Sequence, residues 1–405
     1  MTTFSIPFKT THVGPNYIRK VNDDGANIPG FISLAVGNPS ADAIPSQSLR
    51  QQIEKLMQGS LLTLFEYGPA IGDESYKGLT KKRLVEKKGF PAEGHGVVVL
   101  NGSTQGLGLA PRTFCSEGDE IYFENFSFTG AIRAARAAGC MAVGIAADEE
   151  GMLPDALAKA ASSGRGKMVY LNPNFHNPTG ATMSFKRRQE IYAVAQHYDL
   201  LLYEDDPYGD IRFRGEHIPC FKTIDPDNRV IFAGSYSKTI SPGLRMGYLY
   251  ACDTFVKYLR NTQSAMDGQP PLLNQLIIAN TLQAIDYEAH INAICRLYGQ
   301  RCQLLMNTLS QYAHPSVRWI RPDGGMFLWV TIPDSISMDD FYDEMLRHGV
   351  GAVRSEGFAV DAVHHGGHSF RLNFTYGTAE QLIEGAKRFG AVTQLLSKAV
   401  AVSAH

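Results

Sequence analysis

The chain has 405 residues, 44% of them hydrophobic and 19% charged, a globular composition with enough apolar mass for a large and a smaller domain. The formal net charge of −2 leaves no surplus of cations for a phosphate backbone or an anionic lipid surface, which argues against nucleic acid and membrane as partners. No apolar run is long enough to cross a bilayer. Cys115, Cys140, Cys220, Cys252, Cys295 and Cys302 show neither CxxC pairing nor metal-ligand spacing, so reduced thiols, no bound metal and a cytoplasmic location are expected. The segment Met1 to Pro15 carries neither the basic start nor the apolar run of a secretory signal.

The first 45 residues are punctuated by Pro and Gly and are expected to join the smaller domain or border the site. From about Ser48, short apolar runs alternate with amphipathic helical patterns, as in a mostly parallel sheet covered on both faces. Strands are predicted over Val97 to Leu100, Glu120 to Phe123, Met168 to Leu171, Leu200 to Tyr203, Val230 to Ala233 and Met246 to Tyr250. A helix over Lys186 to His197 carries Ile191, Val194 and Ala195 at helical spacing. After Asp253 the pattern becomes long helices to about Tyr312. The apolar run Met326 to Ile332 and the alternating run His368 to Phe374 then read as strands of the smaller domain.

Ser235-Tyr236-Ser237-Lys238 is followed seven positions later by Arg245. An amine, a guanidinium and two hydroxyls after a strand suit a phosphorylated aldehyde, since the amine forms an imine and the others hold a phosphate dianion. The same residues also read as a solvated loop lysine and a surface arginine. Asp205, in Tyr203-Glu204-Asp205-Asp206-Pro207-Tyr208, stands at a strand end where open α/β sheets bind ligands. A carboxylate there can pair with a protonated pyridine nitrogen, and the Tyr208 hydroxyl can reach a phenolic oxygen; a capped acidic turn is the alternative.

Asn177 sits in the turn-rich run Asn172 to Gly180 and offers an amide to the same phenolic oxygen, whereas His176 reads as a turn or surface residue. Asn101-Gly102-Ser103-Thr104-Gln105-Gly106 follows a strand and opens a helix, presenting N–H groups and the Ser103 and Thr104 hydroxyls to an anion; a plain helix cap explains Ser103 as well. Phe128 can stack on a ring or belong to the core. Arg371 interrupts the apolar strand Ser369 to Phe374, so it needs either a structural acid or a substrate carboxylate.

Together these segments resemble the fold type I, class I/II aminotransferases, most closely the branch containing 2-aminoadipate, kynurenine and aromatic aminotransferases. The resemblance runs from Ile32-Ser33-Leu34-Ala35-Val36-Gly37-Asn38-Pro39 through Tyr67-Gly68-Pro69 and the motifs above to Gly324-Gly325-Met326-Phe327-Leu328-Trp329-Val330 and the Arg371 strand. It implies an α/β fold with a mostly parallel seven-stranded sheet and a smaller α+β domain, divided as 1–45 with the small domain, 46–290 large and 291–405 small. It further implies pyridoxal 5′-phosphate held as a Schiff base on Lys238, with Asp205 at the ring nitrogen, Phe128 stacking, and Tyr208 and Asn177 at the phenolic oxygen. Ser103, Thr104, Ser235, Ser237 and Arg245 would hold the phosphate. Tyr67 would join them across a homodimer interface. Arg371, Asn177 and the Gly37 backbone would take the α-carboxylate of an L-amino acid or 2-oxo acid, with 2-oxoglutarate the expected acceptor in a ping-pong transamination.

The chain departs from that family in carrying Phe128 for a common tyrosine, Phe126 for a proline, and Val353-Arg354-Ser355 for Val-Pro-Gly. Arg19 is a candidate reader of acidic substrates. A β-lyase or decarboxylase using the same cofactor, and a non-catalytic cofactor sensor, are the alternative readings; few residues precede Gly37 to make the DNA-binding domain of such a sensor.

Overall fold

A computed structural model describes residues 5–361 and 367–403. Seven strands form the large sheet: β1 (His95–Asn101), β2 (Glu120–Glu124), β3 (Met141–Ile145), β4 (Gly166–Leu171), β5 (Leu201–Asp205), β6 (Val230–Ser235) and β7 (Met246–Cys252). Their order is β1-β7-β6-β5-β4-β2-β3, and β7 alone runs antiparallel to its neighbours. Each strand expected in this sheet is present, extended by one to three residues, except that the one expected from Leu200 begins at Leu201 and runs on to Asp205. The edge strand β3 was not foreseen: its sequence, Met-Ala-Val-Gly-Ile, is short and rich in small residues, and Met141 is half exposed.

Period-two alternation explains why helices cover both faces. Val98 and Leu100 pack with Leu107, Leu109, Ile132 and Leu259 on one side. Val97 and Val99 pack with Tyr76, Leu84 and Ile278 on the other, and Val169 and Leu202 on that same face meet Leu157 and Ile191. The predicted helix over 186–197 is observed as Phe185–His197, with the Ser184 side chain accepting from the Arg187 N–H at its start.

A smaller antiparallel sheet contains β8 (Arg318–Trp319), β9 (Phe327–Thr331), β10 (Val353–Arg354) and β11 (Ser369–Asn373), in the order β8-β9-β11-β10. The two apolar runs expected there are β9 and β11. The N-terminal segment reaches this region: Ile32 and Ser33 pair in parallel with Val350 and Gly351. One core gathers Val21, Leu34 and Ala35 with Leu305, Leu328, Phe341, Phe370 and Phe389. Among the described residues no helix is long and apolar enough to cross a membrane.

Candidate active site

The ends of the large sheet's strands set the geometry. Ser103 follows β1, Asn172 follows β4, Asp205 ends β5, Ser235 ends β6, and Arg245 lies just before antiparallel β7. All five therefore lie at one edge of the sheet, where open α/β folds place ligands. They surround a cavity of about 260 Å³ with Gly37, Thr104, Phe128, Asn177, Tyr208, Ser237, Lys238 and Arg371. Every candidate residue named above faces this cavity except Arg19 and Tyr67, the latter 98% exposed.

The Lys238 amine donates to the Gly37 carbonyl at 2.8 Å. Burial, with Arg371 and Arg245 nearby, lowers its pKa to about 8 against the opposing pull of Asp205, so about a tenth of the amine is unprotonated at neutral pH, far more than for an ordinary lysine.

The acidic run on β5 is resolved by alternation. Glu204 turns inward and accepts from the N–H groups of Phe221 and Lys222 at 2.9 and 3.0 Å. Asp206 accepts from Lys88 at 3.2 Å and Asn174 at 3.0 Å. Asp205 faces the cavity: its Oδ2 accepts from the Tyr170 hydroxyl at 2.7 Å, while its buried Oδ1 has no partner among the described residues. Burial raises the Asp205 pKa to about 7, opposed by the Tyr170 hydrogen bond and by Lys238. A cation facing Oδ1 would satisfy this carboxylate, as the protonated nitrogen of a pyridine ring does.

At the opposite wall Arg371 is buried and donates from its two terminal nitrogens to Asn177 Oδ1 and the Ala35 carbonyl, each at 2.7 Å. The Phe327 and Phe358 rings lie 4.1 and 4.9 Å away. Among the described residues no carboxylate pairs with it, so the structural ion pair is not formed there. Burial lowers its pKa to about 10, leaving it a cation at working pH. Asn177 Nδ2 donates to the Tyr208 hydroxyl at 3.5 Å, which links the two faces of the cavity.

The anion-binding end is built from main chain. The helix Ser103–Phe114 begins after Gly102, whose φ is +72° and which, as glycine, supplies no side-chain cap to the helix N–H groups. A Cβ at Gly102 would collide with the Arg245 guanidinium. Arg245 Nη1 lies 3.4 Å from Ser237 Oγ, and the Ser237 N–H donates to Ser235 Oγ at 3.1 Å. Uncapped N–H groups, hydroxyls and a guanidinium form a donor set for a phosphate dianion.

Two expectations are corrected. His176 is buried, not a surface residue: its Nε2 meets Glu124 at 2.5 Å, and it lies outside the cavity lining. Arg19, on the helix Tyr17–Gly25, points to solvent, 3.5 Å from Asp23; from the same helix Ile18 lines the cavity instead. Arg354, the departure noted in the sequence, is engaged by Asp339 and Glu356. Tyr170, Asn172 and Phe327 also line the cavity. Sequence reading passed over the first because an aromatic within an apolar strand looks like core.

The model of the aminotransferase class I and II family matches residues 29–389. The chain belongs to that family. It is 30% identical over 362 residues to aromatic-amino-acid aminotransferase 1 of Thermococcus litoralis, covering 88% of this chain and 86% of that one. The crystal structure of Pyrococcus horikoshii kynurenine aminotransferase with PMP, a substrate and a product superposes with a TM-score of 0.90 at 28% identity, covering 96% and 97% of the two chains. An uncharacterized HTH-type transcriptional regulator of Bacillus subtilis, YdfD, is 28% identical over 387 residues, covering 94% of this chain and 77% of the regulator. The fold is the fold type I α/β architecture, the cofactor is pyridoxal 5′-phosphate, and the enzyme is an aminotransferase acting on small molecules. The unpaired Asp205 oxygen, the uncapped helix start and the buried amine fit that cofactor.

Proposed function

We propose that this aminotransferase passes the amino group of an L-amino acid to 2-oxoglutarate in two half-reactions, with Lys238 as the catalytic residue. The observation that carries the reading is one cavity holding a buried amine of lowered pKa, a carboxylate with a free oxygen and an arginine without an acid partner. When bound, pyridoxal phosphate supplies the aldehyde that takes the amino group and the ring that delocalises the electron pair left at the α-carbon. Asp205 holds the ring-nitrogen proton through Oδ1, and Tyr208 and Asn177 hydrogen-bond the phenolic oxygen. Phe128 stacks, while Ser103, Thr104, Ser235, Ser237 and Arg245 bind the phosphate. Arg371, with Asn177 and Gly37, seats the substrate carboxylate so that the α-proton faces Lys238 Nζ. That amine removes the proton as general base in one half-reaction and returns one to the α-carbon in the other.

The same reading places the domain boundaries at 1–45, 46–290 and 291–405, supported by the core that Val21 and Leu34 share with Phe341 and Phe389. It makes the working unit a homodimer in the cytoplasm. The exposed Tyr67 with exposed Leu61, Leu62, Phe65 and Ile71 supports a covered face there; a monomer by sedimentation at micromolar concentration would count against it.

The test is the visible spectrum of the cofactor-loaded protein. An amino acid donor added without acceptor should change it and 2-oxoglutarate should restore it, whereas Lys238→Ala should lose turnover entirely. Retained steady-state transamination in that variant sinks the role of Lys238. A second reading, a cofactor-binding regulatory module, draws on the regulator match; it gains if the cofactor binds but no donor produces the reversible change. Pyruvate and ammonia released without an acceptor would instead mark a β-lyase, and carbon dioxide a decarboxylase.

A further inference from the structure

Tyr170 is the buried titratable group at the cavity to which the reaction outlined above gives no part. Its position follows from register. On parallel β4 and β5, Tyr170 stands opposite Tyr203, and Asp205 comes two residues later on the same face. The Tyr170 hydroxyl thus reaches diagonally to Asp205 Oδ2, 2.7 Å away. Its ring is fixed between Tyr203, with centroids 6.1 Å apart, and Phe123, 5.3 Å away. Two residues on, Asn172 Nδ2 donates to the Asp205 carbonyl at 2.7 Å and its Oδ1 accepts from the Asn177 N–H at 2.7 Å. The end of β4 therefore holds Asp205 by side chain and main chain together.

We propose that Tyr170 is a positioning residue that acts through Asp205, fixing the carboxylate so that Oδ1 faces the cofactor's ring nitrogen. This rests on the cofactor-binding roles assigned under the proposed function. The direction of the hydrogen bond is settled by chemistry: burial and the adjacent Asp205 raise the Tyr170 phenol well above its usual range, so it stays a donor. The carboxylate is otherwise faced by Asp206, which disfavours its charge, by Lys238, which favours it, and by the phenols of Tyr203 and Tyr208. Tyr170 is the side chain that hydrogen-bonds the ionised form. Without it Asp205 protonates more readily, and a neutral carboxyl no longer holds a proton on the pyridine nitrogen.

The experiment is a double-substitution cycle read by cofactor binding. Protein stripped of cofactor is titrated with pyridoxal phosphate, followed by absorbance, for the unaltered chain, Tyr170→Phe, Asp205→Asn and the pair. Tyr170→Phe should weaken binding about tenfold, the loss expected for one hydrogen bond to a charged group, and should move the acid limb of binding to higher pH. In the Asp205→Asn background it should cost no more than twofold, since a residue acting through another loses its effect when that partner is gone. Tyr170→Phe binding within twofold of the unaltered chain overturns the proposal. So does equal weakening in both backgrounds, the result a purely structural role gives, including partial unfolding. Failure of the unaltered protein to take up pyridoxal phosphate would instead overturn the reading beneath it.

Discussion

Replacing Arg371 tests the substrate end of the site, because two effects of opposite sign can be separated. The guanidinium is buried, makes two 2.7 Å hydrogen bonds to neutral oxygens and touches two aromatic rings. Arg371→Lys keeps a charge but loses the planar fork, so one of two hydrogen bonds to a substrate carboxylate goes. At about 1.5–3 kcal/mol for a hydrogen bond involving a charged group, kcat/KM for the donor should fall about 10- to 100-fold. Arg371→Met loses both, and a fall of about 100- to 10,000-fold follows on the same arithmetic. For stability the balance differs. Methionine strips Asn177 Oδ1 and the Ala35 carbonyl of their donors, about 1–3 kcal/mol each, but also relieves the burial of a charge that has no acid partner, a penalty of several kcal/mol. These offset, so the melting temperature should move by no more than a few degrees while activity collapses. Stopped-flow measurement of each half-reaction gives the kinetics, with the donor and 2-oxo acid affected alike because one carboxylate is read in both. A kcat/KM for Arg371→Met within threefold of the unaltered enzyme refutes the assignment, and a melting temperature lower by more than about 10 °C would show that Arg371 holds the fold.

Two further substitutions probe the cofactor's surroundings. The carboxyl of Asp205 titrates near 7 in the folded chain against 3.8 as its ordinary value, so the folded form binds the extra proton between those limits. Its contribution to stability is present at low pH and is lost as pH rises through about 7. Cofactor-free protein should therefore melt at a lower temperature at pH 8 than at pH 5, and Asp205→Asn should shrink the difference. Glu204, raised by burial to about 7 as well, contributes in the same direction; an unchanged difference in Asp205→Asn contradicts this account. Gly102→Ala puts a Cβ against Arg245 at a positive φ. Strain and displacement of the guanidinium should weaken pyridoxal phosphate about tenfold or more, and calorimetry showing unchanged affinity would exclude Arg245 from the phosphate site.

The parts of the site that could be read from sequence are those where polar residues follow an apolar strand. Asp205 and Ser235 stand out because the strands that lead to them are continuous hydrophobic runs, as a sheet buried on both faces requires. Arg371 is visible for the related reason that a cation interrupts the apolar β11. What escaped is what looks ordinary in one dimension. Tyr170 is one more aromatic in an apolar strand, and its meaning lies in the register between β4 and β5. Ile18 and Arg19 are adjacent on one helix, and which of them meets the cavity depends on how that helix packs; the charged one, more eye-catching in sequence, is the one in solvent. His176 looked like a loop residue because its partner Glu124 lies 52 positions away, at the end of β2.

The short irregular stretch at residues 35–38 carries a last consequence. Its carbonyls receive Arg371 at Ala35, Lys238 at Gly37 and the Thr375 hydroxyl at Asn38. These anchors belong to the path of the chain and not to any side chain, so they survive exchange of the residues that bear them. Selectivity can then be rewritten at Ile18 and Val36 while the two cations keep their places, which separates the part of the pocket that chooses a substrate from the part that must stay fixed.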